Sequence, residues 1–246
     1  MMLNRRYLLT GIGSLIIGLI LSGCFKSNGS ISMQTEPSYK QDKEAKGGEV
    51  TATEDLMREH GVLRRALLVY SEIAARLRSN PSAVAPDALQ KTARLFRAFG
   101  EEYHEKKLEE AYIFPAVKRA GGKAAVYPDI LIAQHKRGRQ ITDYILAVTQ
   151  KARLDANDAE PLARSLESLV RMYRAHASRE DTIVFPAWKQ TLTAKQLDEM
   201  NDKFEEIEHQ QFGEDGFENA VRQMSEIESE LGLADLAQFT AAPPPM

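Results

Sequence analysis

His176-Ala177-Ser178-Arg179-Glu180-Asp181-Thr182-Ile183-Val184-Phe185-Pro186-Ala187-Trp188-Lys189 is the stretch on which the fold turns. Upstream of it, Leu162, Leu166, Leu169 and Tyr173 lead into His176, Glu180 and Val184 at intervals of three or four residues. That spacing is one apolar stripe of an α-helix. His176 and Glu180 lie inside the stripe one turn apart, so the helix buries an imidazole and a carboxylate together. A buried carboxylate is costly unless it is paired or coordinates a cation. A metal ion removes that cost, because it favours neutral imidazole and ionised carboxylate at the same time.

The same phrase occurs earlier in the chain. Ile113-Phe114-Pro115-Ala116-Val117-Lys118 matches Val184-Phe185-Pro186-Ala187-Trp188-Lys189, and Glu109 and Glu180 stand equally far upstream. A proline inside a helix removes a hydrogen bond and bends it. Two such prolines in equivalent places indicate a duplicated helical pair. The punctuation supports this. Thr51-Ala52-Thr53-Glu54 is a capping box that opens a first helix, which Asn80-Pro81 stops. Pro86 opens a second helix ending near Gly121-Gly122, Pro128 a third running to about Arg153, and Pro161 a fourth reaching about Gln190. Residues 51–190 therefore predict an all-α, antiparallel four-helix bundle. Thr193-Ala194-Lys195-Gln196 opens a C-terminal helical extension over 191–232, broken at Gly213 and Gly216. Residues 233–246 read as a disordered tail.

Composition narrows the chemistry. The 246 residues are 43% hydrophobic and 27% charged, as expected of a globular protein. A net charge of -3, from 32 basic against 35 acidic residues, argues against a nucleic-acid partner. The single cysteine forbids an intramolecular disulfide and a multi-cysteine metal site. No nucleophile motif, phosphate-binding glycine loop or dinucleotide fingerprint is present, so any catalysis would be metal-borne.

Of the five histidines, His60, His104, His135 and His176 fall one to each long helix. In the first helix Leu56, His60, Leu63 and Leu67 share a face. These residues resemble the hemerythrin-like, or HHE cation-binding, domains. That family has a histidine on helices one and three and His-x-x-x-Glu on helices two and four, followed by an apolar-Phe-Pro phrase. The resemblance covers roughly residues 54–190. It implies a di-iron centre with Glu109 and Glu180 bridging and His60, His104, His135 and His176 terminal. Imidazole with carboxylate also suits manganese, and zinc stays open.

Two departures from the family pattern stand out. Glu109 follows His104 by five residues, which in a regular helix turns it about 140° away. A π-bulge would absorb the extra residue; otherwise Glu105 or Glu110 takes the role. Oxygen-carrying hemerythrins also have a second histidine four residues on in helix three, where this chain has Arg139. His209 is a possible further ligand or outer partner, although Leu197, Met200, Phe204 and Ile207 mark the opposite face of its helix. A competing ferritin-like reading uses Glu101-x-x-His104 and Glu206-x-x-His209 with Glu59 and Glu180.

Residues 1–24 read as an export signal. Arg5-Arg6 precedes an apolar run, and Leu21-Ser22-Gly23-Cys24 resembles a bacterial lipobox, which implies lipidation at Cys24. An uncleaved membrane-spanning helix is the other reading, and both general and twin-arginine export fit. Residues 25–50 read as a flexible tether. The expectation is a lipoprotein held in the bacterial cell envelope. Its bundle would bind two iron ions and a diatomic ligand, oxygen or nitric oxide. Peroxide or nitric oxide detoxification and iron delivery are the enzymatic alternatives.

Overall fold

The computed structural model describes residues 50–213 and 216–245. The expected export signal, Cys24 and all of the expected tether but Val50 lie outside the described residues. Among the described residues there are six helices and no strand. Helix α1 (Ala52–Ser79) starts at the Thr51 capping box, where Thr51 accepts from the Glu54 N–H and the Glu54 side chain answers. Helix α2 covers 86–120, with α-helical ends Pro86–Leu95 and Phe114–Ala120 flanking a π-helical stretch, Phe96–Ile113. Helix α3 is Tyr127–Val148. Helix α4 covers 156–190, with a π-helical turn at Glu180–Val184 between Ala156–Arg179 and Phe185–Gln190. Helices α5 (Ala194–Phe212) and α6 (Gly216–Leu231) form the extension.

Helix α4 begins five residues before Pro161, because Asp155 caps it by accepting from the Asn157 and Asp158 N–H groups. Pro161 is carried just inside the start, where it forfeits a single ladder bond. Helix α3 stops at Val148 rather than near Arg153, where the Thr149 hydroxyl takes the Ile145 carbonyl. The tail is not uniformly irregular. Leu233 is buried, and a 3₁₀ turn at Leu236–Phe239 is braced by Gln238, which donates to the Gly232 and Asp235 carbonyls.

Side-chain pairs fix the directions of the four long helices. His60 meets Asp181 and Arg78 meets Glu160, so α1 and α4 run antiparallel. Arg97 meets Asp143 and His135 meets Glu110, so α2 and α3 do too. The extension covers the α1–α2 face. Arg65 pairs with Glu228, Arg76 donates to the Leu231 carbonyl, and Phe99 packs against Phe212 and Phe217. No helix among the described residues is long and apolar enough to cross a membrane.

Each Phe-Pro phrase sits directly after a π turn. The Phe114 N–H bonds the Glu109 carbonyl and the Phe185 N–H bonds the Glu180 carbonyl, five residues back in both cases. The next residue is a proline, whose ring crowds the carbonyl four residues before it and which has no N–H to offer. A widened turn relieves that clash. The local sequence thus widens the turn that follows each glutamate.

Helices α3 and α4 approach closely at Gly138. A Cβ added there would lie 2.1 Å from the Tyr173 hydroxyl oxygen and 2.8 Å from its Cζ. Tyr173 is nearly fully buried, and its hydroxyl donates to Glu105 at 2.6 Å, so it has little room to yield. Gly138→Ala is expected to lower stability by about 1–3 kcal/mol despite its better helix propensity. Thermal unfolding of the variant measures this, and an unchanged or raised midpoint would show that the helices can part.

Candidate metal centre

The four predicted histidines and both glutamates meet in the middle of the bundle, all six at most 3% exposed. Glu180 lies between helices α1 and α4, its Oε2 3.5 Å from His60 Nε2 and its Oε1 3.0 Å from His176 Nε2. Glu109 lies between α2 and α3, with Oε1 3.3 Å from His104 Nε2 and Oε2 3.4 Å from His135 Nε2. The two ends are joined by His135 and His176, whose Nε2 atoms are 3.0 Å apart. Two sets of donor atoms result: Glu109, His135, His176 and Glu180 in one, and His60, His104 and Glu109 in the other. Within each, the donors lie within 4.8 Å of one another.

The π-helical stretch of α2 is what brings Glu109 into place. Its i→i+5 ladder carries the five-residue His104–Glu109 interval round to a common side, where a regular helix would turn it away. Glu105 and Glu110 gather on the Nδ1 side of His135, where donor atoms of the three lie within 4.8 Å of one another. Glu105 accepts from Tyr173 and Arg139, and Glu110 faces His135 Nδ1 at 2.9 Å.

Every Nε2 faces inward because every Nδ1 is occupied. Asp181 lies 2.6 Å from His60 Nδ1, Glu59 2.6 Å from His104 Nδ1, and Gln134 2.9 Å from His176 Nδ1. Such partners fix the tautomer and raise ligand basicity. The phenylalanines of the repeated phrases complete the packing: Phe114 stacks on His135 and Phe185 on His60. Sequence reasoning missed these Nδ1 partners as a group. A signal for them was present, since an amide or acid precedes the histidine of helices one and three and an acid follows each glutamate.

The fit to a cation rests on atoms with nothing else to bind. Both oxygens of Glu109, both of Glu180, and His104 Nε2 are buried without a hydrogen-bond partner. An orphaned buried polar atom costs about 1–3 kcal/mol, more when charged. Cations held between these oxygens and the imidazole nitrogens satisfy all of them at once. His209 is exposed on α5 and joins neither donor set. Glu206 is exposed as well, and Glu101 is engaged by Thr142 and Arg97 on the far side of the helix turn, so the ferritin-like constellation does not assemble.

Without a cation the carboxylates hold protons on two of the rings, His104 and His135. Burial alone would lower the pKa of His135, but Glu105, Glu109 and Glu110 outweigh it and push it up to about 10. His104 is likewise held well above the ordinary imidazole value, its burial outweighed by Glu109 and Glu59. A ligating imidazole must be neutral, so cation uptake near pH 7 displaces protons. Apparent zinc affinity is therefore expected to rise with pH up to about 10, the value reached by His135. Proton release into weak buffer accompanies binding, and a pH-independent affinity would contradict the protonated resting state.

The family described as Hemerythrin HHE cation binding domain matches residues 51–188. Uncharacterized protein Rv1995 of Mycobacterium tuberculosis (strain H37Rv) is 45% identical over 192 residues, covering 78% of this chain and 74% of that protein. Uncharacterized protein Mb2018 of Mycobacterium bovis is similar to the same extent, 45% over 192 residues. No solved structure matches the chain. The family match spans more than half of the sequence and takes in all four helices that carry these histidines, so the chain belongs to the hemerythrin HHE cation-binding domain family.

Proposed function

We propose that the bundle holds two non-heme iron ions, with His60 and His104 on one, His135 and His176 on the other, and Glu109 and Glu180 bridging. The observation that carries this reading is the set of orphaned carboxylate oxygens of Glu109 and Glu180, each glutamate lying between two histidines of different helices. Imidazole and carboxylate donors suit iron or manganese, with zinc the softer competitor. The reading extends to a small ligand. A cavity of about 10 Å³, roughly the space for one water-sized molecule, adjoins His60, His104 and His176. Leu63, Leu67 and Phe96 form its apolar wall, and Arg64 lines it as well.

A ferrous pair held by these residues would supply electrons to a diatomic molecule such as oxygen or nitric oxide. The protein contributes orientation and exclusion. Tyr173 and Glu105 also line the cavity, and they are bonded to each other at 2.6 Å. That mutual engagement favours ligand binding over an acid–base cycle, so peroxide or nitric oxide turnover and iron delivery rank second. The expected address is the bacterial envelope, through a lipid on Cys24.

Three measurements test these statements. Protein purified without oxygen is expected to carry close to two metal ions per chain, mostly iron, and to change its absorption spectrum on exposure to oxygen or nitric oxide. A stable, metal-free chain that takes up no iron would end the di-iron reading. Glu109→Ala is expected to lose metal while Glu105→Ala keeps it. Deleting Lys106, which restores the four-residue spacing of helix α4, should keep metal too. Retention in Glu109→Ala with loss in Glu105→Ala or Glu110→Ala would reassign the ligand. Cys24→Ala is expected to release the protein from membranes in a bacterial host, and continued membrane fractionation after signal cleavage would refute the lipid anchor.

A further inference from the structure

The two halves of the bundle correspond side chain by side chain around the centre. His60 and His135 each have Nδ1 against the acid that follows a bridging glutamate, Asp181 and Glu110. Each of those acids is held by an arginine four residues beyond the histidine, Arg64 and Arg139. Phe185 and Phe114 stack in matching positions. The residues just before these histidines, Glu59 and Gln134, also correspond, because each reaches Nδ1 of the histidine on the neighbouring helix. Here the match breaks. His104 has a carboxylate behind it at 2.6 Å, and His176 has a neutral amide oxygen at 2.9 Å.

Glu59 is fixed through both of its oxygens. It is 1% exposed, and its Oε1 accepts from the Tyr103 hydroxyl at 3.0 Å while Oε2 faces the His104 ring. When His104 Nε2 turns to a cation, Nδ1 carries the proton and donates it to this bond. The extension supports the arrangement from outside. Tyr103 also reaches Glu208 Oε2 of helix α5 at 3.5 Å, and Glu208 Oε1 accepts the Phe217 N–H at the start of α6. One acid on the other side has no counterpart: Glu105, at the position matched by Ala177, lies 3.9 Å from His135 Nδ1. Its hydrogen bonds go to Tyr173 and Arg139, and it acts on the His135 ring by charge alone. The unmatched hydrogen bond to a ligand histidine is therefore that of Glu59.

Resting on the dinuclear reading above, we propose that Glu59 makes the two ion positions unequal, so that the position served by His60 and His104 binds its cation more tightly than the one served by His135 and His176. A histidine that donates to a carboxylate is the stronger ligand, and losing such a partner changes metal affinity by about 10- to 100-fold. Tyr103 and Glu208 then act as positioning residues, which ties the C-terminal extension to the centre.

Anaerobic titration of ferrous iron into the full chain, followed by calorimetry, tests this. Wild type is expected to show two binding events about 10- to 100-fold apart. Glu59→Gln preserves shape and should weaken the tighter event toward the other, whereas Gln134→Glu should strengthen the weaker one. Tyr103→Phe should lower the tighter event by a smaller factor. Mössbauer spectra at one equivalent of iron should show one dominant doublet in wild type and two in Glu59→Gln. Two equal events in wild type, or an unchanged gap in Glu59→Gln, would overturn the proposal. Equal weakening of both positions would also overturn it, because it would make Glu59 a merely structural residue. Uptake of one ion or none by wild type refutes the dinuclear reading itself, a result distinct from two equal sites.

Discussion

Two carboxylates buried where no hydrogen-bond donor satisfies them organise this protein. Glu109 and Glu180 lie on the bundle axis, each within 3.5 Å of imidazole nitrogens from two different helices, and neither oxygen pair has another partner. An apolar core would exclude such groups. Their placement makes sense only if positive charge resides between them, as protons on the rings or as cations. The remaining features of the centre follow from keeping four Nε2 atoms and four oxygens aimed at one small volume.

Backbone and side chains share that task. The prolines after Phe114 and Phe185 widen the turn that follows each glutamate, and the same phenylalanines stack on His135 and His60. Acids and an amide on the Nδ1 atoms then lock the ring orientation. Arg64 and Arg139 hold two of those acids in turn. A three-layer arrangement of this kind is stiff, because displacing any one member leaves a buried polar atom without a partner. The extension adds a further layer on one side only, through Glu208 and Tyr103. The family match ends at residue 188, so this layer lies beyond the matched domain.

Much of this is legible in the sequence. Helical periodicity placed His176 and Glu180 on one buried face, and one histidine per helix in four helices pointed to a shared site. The repeated Phe-Pro phrase showed the duplication. Helix ends were read less well where a better cap lay upstream, as Asp155 did of Pro161. His209 shows why type alone misleads: it is a histidine near the right helices, yet its side of α5 faces solvent.

The sequence by itself determined the all-α bundle and five of the six residues at the centre, because local periodicity and capping are properties of neighbouring residues. It left open which carboxylate of helix α2 reaches the site. Only the tertiary structure decided that, since the π-helical stretch of α2 brings Glu109 round to the axis while Glu105 and Glu110 turn to Tyr173, Arg139 and His135. The pairing of Glu59 with His104, 45 positions apart, was likewise invisible in the chain. Which side chain stands behind which histidine depends on the register of two packed helices, and that register is set by the whole interface rather than by any local run of residues.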